Sequence, residues 1–185
     1  MLSDKIIYFD FAILNWIQEN LKSEFLDRFC PIFTSLGAAG WFFILIAIIL
    51  LCIPKYRKWG ACLACALLLG LIFGNMLIKN LVMRTRPYDM VENYELLVKK
   101  LSDYSYPSGH TLAAFEFLTV ICMMPIKRRY KVLAGIFAFT MAFSRLYLYV
   151  HFPTDVLGGM LLGTLFGVMG VRIVTTLIEE HNTKK

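Results

Sequence analysis

Charge is scarce in this sequence. Asp, Glu, Lys and Arg make up 17% of its 185 residues against 58% hydrophobic, with a mean hydropathy of +0.64. That balance excludes an ordinary water-soluble domain. Cysteine is sparse and odd in number: Cys30, Cys52, Cys62, Cys65 and Cys122 lie in or beside apolar runs, so they make no disulfide framework and imply no oxidising compartment. Cys62 and Cys65 form a single CxxC with no second pair, inside a stretch of membrane-crossing length, which fits packing better than zinc. No small-residue cleavage pattern follows the first apolar stretch, residues 6–17, which also contains Asp10, so no separate signal peptide is expected. Repeats, low-complexity tracts and linkers are missing too, and residues 1–185 read as one domain.

What is abundant is apolar sequence of lipid-crossing length. A helix crosses hydrocarbon with about 20 apolar residues. No residue between Arg28 and Lys55 is charged, and residues 59–78 form a second uncharged run. Three further segments each carry one charge: Glu116 in 111–126, Arg145 in 132–150, and Arg172 near the far end of 156–178. Charges inside such segments are costly and read as functional by default, whereas Arg172 can snorkel to the interface. The expected fold is therefore all-α, an integral membrane bundle of five transmembrane helices. Residues 1–28 hold five acids and three bases around an apolar face of Ile6, Ile7, Phe9, Ile13, Leu14, Ile17 and Leu21. They read as an interfacial amphipathic helix, with a short sixth span as the alternative. Gly159, Gly163 and Gly167, and Gly70 with Gly74, recur every four residues and signal close helix packing.

The net charge of +6 does not imply nucleic acid, because membrane proteins concentrate Lys and Arg in cytoplasmic loops. Two turns, Lys55/Arg57/Lys58 and Lys127/Arg128/Arg129/Lys131, contain no acid and are expected to be cytoplasmic, as is Lys184-Lys185. The loop from about Lys79 to His110 and the turn around His151 then share the extracytoplasmic side.

That side gathers the chemistry. Lys79, Arg86 and Arg145, at the ends of different spans, suit a multiply charged anion such as phosphate. Pro107-Ser108-Gly109-His110 stands where a polar loop becomes a helix, so backbone N–H groups there face an anion and glycine permits close approach. His151-Phe152-Pro153-Thr154 holds the equivalent place before the last span, since proline suits a first helical turn. Asp155, four residues after His151, can reach back to one imidazole nitrogen and leave the other as a nucleophile, while His110 supplies a proton to the leaving oxygen.

Lys79-x6-Arg86-Pro87, Pro107-Ser108-Gly109-His110 and Ser144-Arg145-x5-His151-x3-Asp155 together resemble the three-part signature of the type 2 phosphatidic acid phosphatase and vanadium haloperoxidase superfamily. The likeness spans residues 79–155, and the flanking helices resemble its small membrane-embedded branch. It implies metal-independent hydrolysis of a phosphomonoester or diphosphate through a phosphohistidine, with no cofactor. His151 would attack phosphorus, Asp155 would orient it, and His110 would protonate the leaving group. Lys79, Arg86, Ser108, Gly109 and Arg145 would hold the phosphoryl oxygens. The substrate it implies is a lipid phosphate among membrane lipids, undecaprenyl diphosphate first, with phosphatidylglycerophosphate or phosphatidic acid as the alternative. Haloperoxidase chemistry shares the anion site but not the lipid setting. A transporter, or a phosphate-binding protein without turnover, is the remote alternative. Arg84 lies outside the signature and reads as a snorkelling or headgroup residue, Glu116 as a structural hydrogen-bonding group. Tyr88, Tyr94, Tyr104 and Tyr106 read as an aromatic belt, and Asp103 as one of several solvated loop charges.

Overall fold

The computed structural model describes residues 2–183, so Lys184-Lys185 lies outside the described residues. Eight helices follow one another, with no strand among the described residues: α1 (Leu2–Leu21), α2 (Glu24–Ser35), α3 (Trp41–Cys52), α4 (Arg57–Leu69), α5 (Lys79–Val82), α6 (Gly109–Met123), α7 (Arg128–Tyr147) and α8 (Pro153–Thr183). Helices occupy each of the five expected apolar segments. Two continuous stretches, Pro54–Asp89 and Pro153–Thr183, are long and apolar enough to cross a membrane, and α2 with the segment Ala38–Cys52 makes a third, bent by 42°. α6, at 15 residues, is shorter.

The bend corrects the expectation of an unbroken first span. An uncharged run gives hydropathy nothing to detect a break with, yet Ala39 and Gly40 take left-handed backbone conformations, φ +50° and +69°. The Trp41 indole N–H closes the corner by donating to the Ser35 carbonyl at 2.9 Å. The break makes room: a Cβ on Gly37 would stand 2.4 Å from Cδ2 of His110.

α6 and α8 form the most extensive helix pair, followed by α4 against α8. Their proximity depends on the spaced glycines. A Cβ on Gly163 would lie 2.4 Å from the Leu112 carbonyl oxygen, and one on Gly159 2.8 Å from that of Ser108. Between α4 and α5 the chain winds as a π-helix over Gly70–Ile78, with the Lys79 N–H donating to the Gly74 carbonyl. Such i→i+5 turns recur at functional sites.

The N-terminal segment also departs from expectation. The helix ends at Leu21, and Ser23 caps a new one, so residues 24–28 belong to α2. Tyr8, Phe9 and Trp16 are exposed, whereas Leu14 and Ile17 are buried with Tyr147, Tyr149, Val150 and Phe152. One face of α1 is therefore packed on the turn between α7 and α8.

Candidate active site

The turn carrying His151 is fixed before any chemistry is considered. α7 ends at Tyr147, Tyr149 adopts φ +59°, and Pro153 opens α8. A left-handed tyrosine is costly and persists only where its surroundings over-determine it. Here the Tyr149 ring stacks on Tyr94 at 4.3 Å, and its hydroxyl donates to Asn15 Oδ1 at 2.8 Å. Three of the four loop tyrosines brace the protein rather than facing outward, Tyr94 on Tyr149, Tyr88 through hydrogen bonds exchanged with the Leu101 backbone, and Tyr106 against Gly158, while Tyr104 is exposed.

His151 is buried. Its Nε2 lies 3.2 Å from Nη1 of Arg86. A guanidinium can only donate, so Nε2 accepts and the ring proton sits on Nδ1. That tautomer leaves the ring's in-plane lone pair on Nε2, the nitrogen facing Arg86. Burial pushes the His151 imidazole below its ordinary range, and Arg86, Arg145 and Lys79 push it the same way against the opposing Asp103. A neutral ring is the nucleophilic form.

The expected direct bond from Asp155 to His151 is not closed. Asp155 Oδ2 stands 3.7 Å from Nδ1 and instead accepts from the Ser105 hydroxyl at 2.5 Å and the Phe152 N–H at 2.8 Å. Ser105 Oγ is 3.5 Å from Nδ1, so this wholly buried serine bridges the pair. No signal in the sequence singled it out from the other loop hydroxyls.

Lys79, Arg86, Gly109, His110 and His151 line one cavity of about 740 Å³. Ser108, Arg145 and Asp155 are buried and are not among its lining residues. Ser108 is buried, with Oγ 3.0 Å from Thr111 Oγ1, and its N–H donates to the Asp155 carbonyl at 3.1 Å, so of the backbone N–H groups at this helix start that of Ser108 is already used. Arg145 is buried, bonds Thr34 through Nη1, and leaves Nε without a partner. An orphaned guanidinium N–H beside two other cations marks a place for an anion.

Asp103 is the second residue missed by sequence reasoning. Its carboxylate, half exposed, pairs with Lys79 at 2.5 Å and Arg86 at 2.7 Å, while the Asp103 and Tyr104 carbonyls accept from Arg86 at 2.9 and 3.1 Å. Burial pushes the Asp103 carboxyl up, but Lys79 and Arg86 outweigh it and hold the group at about 2. Away from this end the cavity turns apolar, running past Ile44, Ile48 and Leu51 of α3 and Leu68 and Leu71 across from them. A polar, cationic head joined to a greasy groove is the shape of a site for an amphiphile with an anionic end.

Glu116 borders the groove, buried, with Oε1 unpartnered and so close to the π-helical segment that a Cβ on Gly70 would fall 2.1 Å from it. Arg84, read above as a snorkelling residue, instead points inward to Asp10 and Asp155, at 2.6 Å each.

Comparison with known proteins agrees with this architecture. The chain is 31% identical over 145 residues to an undecaprenyl-diphosphatase of Sulfolobus acidocaldarius, covering 78% of this chain and 69% of that one. It is 34% identical over 160 residues to phosphatidylglycerophosphatase B of Bacillus subtilis, covering 78% and 73%. The crystal structure of Aquifex aeolicus LpxE superposes with a TM-score of 0.77 at 28% identity, over 88% of this chain and 94% of that one. Residues 59–179 match the PAP2 superfamily, and the chain belongs to that family of membrane phosphatases.

Proposed function

We propose that this protein is an integral membrane lipid phosphatase whose five apolar helical segments all cross the bilayer, with its site at the extracytoplasmic face of the cytoplasmic membrane. The observation that carries the lipid assignment is a continuous cavity that joins Lys79, Arg86, His110 and His151 to an apolar groove between α3 and α4. A phosphate end held by the cations would leave its hydrocarbon tail in that groove. The two acid-free basic turns support the orientation.

In the reaction, His151 Nε2 attacks phosphorus and the bond to the leaving oxygen breaks. His110 gives that oxygen its proton and then accepts one from the water that hydrolyses the phosphohistidine. Lys79, Arg86 and Arg145, with Ser108 and the Gly109 amide, hold the phosphoryl oxygens as their charge redistributes. Asp155, through Ser105, keeps the Nδ1 proton in place and offsets the charge that grows on the ring. No step requires a metal.

Undecaprenyl diphosphate is the first choice of substrate, supported by the likeness to the Sulfolobus undecaprenyl-diphosphatase. The second reading, phosphatidylglycerophosphate, has comparable support from the Bacillus relative at 34% identity. Phosphate release by purified protein with EDTA present, from these two lipids and from phosphatidic acid, tests both readings. Turnover that EDTA spares and His151→Ala abolishes is expected, and the preferred lipid decides between them. Failure with all three would remove the lipid assignment.

A further inference from the structure

Arg84 is two residues from Arg86 yet does not line the cavity. Met83, with φ +47°, ends α5 and turns the following chain away from the helix axis. Both terminal nitrogens of the mostly buried Arg84 guanidinium then bond inside the protein. Nη1 donates to Asp155 Oδ1 and to Thr154 Oγ1, both at 2.6 Å, Nη2 donates to Asp10 Oδ2 at 2.6 Å, and the group lies 4.1 Å from the centre of the Phe152 ring. Its backbone carbonyl accepts the Ser105 N–H at 2.8 Å. Arg84 thus touches three of the four residues that follow His151 and also the serine that bridges to the imidazole. Asp10 completes the set from α1, wholly buried, accepting the Thr154 N–H at 3.0 Å and the Thr154 hydroxyl at 2.6 Å.

The geometry points to Arg84 and Asp10 as positioning residues that hold Asp155 in register with Ser105 and His151, making α1 part of the active site. The inference rests on the reading of His151 as nucleophile. Its logic is charge balance in a dry place. Asp10 and Asp155 are both fully buried and share one guanidinium between them. With Asp155 Oδ1 fixed by Arg84, Oδ2 is left for Ser105 and the Phe152 N–H, which sets where the carboxylate stands relative to Nδ1. Remove the guanidinium and two carboxylates face each other without a counter-charge, so Asp155 is driven from that position. Removing the Asp10 charge as well relieves the repulsion, and Asp155 returns to its other two partners.

That sign distinguishes positioning from simple anchoring of α1. The full-length protein in detergent is assayed on a lipid phosphate as wild type, Arg84→Gln, Arg84→Lys, Asp10→Asn, the Asp10→Asn/Arg84→Gln double variant and His151→Ala. Arg84→Gln is expected to lower kcat by about 30-fold with KM changed less than about 3-fold, because the lost contacts do not touch substrate. The double variant regains about 5-fold of that kcat, and Arg84→Lys recovers only part, since an ammonium cannot span three acceptors as a planar fork does. Arg84→Gln at wild-type kcat, a rise in KM alone, or a double variant as slow as the product of the single losses would each overturn the inference. Should Arg84→Gln not yield monodisperse protein, Asp10→Asn carries the test, with kcat expected to fall at least about 3-fold at constant KM, and no change overturning it. Wild-type turnover that survives His151→Ala would instead remove the nucleophile assignment on which the inference stands.

Discussion

Replacing Asp103 by asparagine should strengthen phosphate binding rather than weaken it. A phosphoryl group entering the site must share Lys79 and Arg86 with the Asp103 carboxylate, which lies 2.5 and 2.7 Å from them. The depression of Asp103 from 3.8 to about 2 corresponds to roughly 2.5 kcal/mol of preference for its charged form. Half of this side chain is exposed, so solvent screening reduces the usable part to about 1 kcal/mol, or about 5-fold in an equilibrium constant. Asp103→Asn is therefore expected to lower both KM for lipid phosphate and Ki for orthovanadate by about 5-fold, with kcat within about 2-fold of wild type. Because the folded value is depressed, the ion pairs are intact above pH 3.8 and are lost only as pH falls through about 2. The effect should then be constant from neutral to mildly acidic pH. Weaker vanadate inhibition in the variant would instead make Asp103 an aligner of the two cations and not a competitor for them.

Other outcomes follow from the same geometry. His151 is pushed below its ordinary value of 6.5, so protonation that silences it should occur below that pH, and the acid limb of kcat/KM should lie there; an acid limb above 6.5 would contradict the buried, cation-surrounded imidazole. Gly163→Val, with a Cβ 2.4 Å from the Leu112 carbonyl, should cost about 2–3 kcal/mol, read as a lower Tm in detergent, whereas Gly135→Ala meets only Leu118 Cδ1 at 3.9 Å and should be neutral. A cysteine introduced near Lys99 should react with an impermeant thiol reagent in intact cells while one near Arg128 stays protected, and the reverse pattern would invert the proposed orientation.

The candidate active site is unusually legible in the sequence because its residues come in short, fixed spacings. Ser108, Gly109 and His110 are adjacent, and His151 and Asp155 are one helical turn apart, so local sequence carries their juxtaposition. What sequence did not reveal depends on distant pairing. Asp10 meets Arg84 across 74 residues, and Ser105 meets Asp155 across 50. A single acid in an apolar amphipathic helix resembles any interfacial residue until its partner is known. Asp103 was hidden for a related reason, since a loop carrying Asp89, Glu92, Glu95, Lys99 and Lys100 offers no local cue that one carboxylate turns inward. The break at Ala39-Gly40 escaped because hydropathy measures composition and not backbone conformation. The spaced glycines did announce close packing, and α6 lies against them in α8.

The proposed reaction transfers phosphorus to Nε2 of His151. Rapid mixing of the purified protein with a phosphorus-labelled lipid phosphate, quenched in alkaline detergent where phosphohistidine survives, measures that transfer directly. Label that acid discharges is expected on wild-type protein, and none on His151→Ala. Acid-labile label of equal amount on His151→Ala would contradict that transfer.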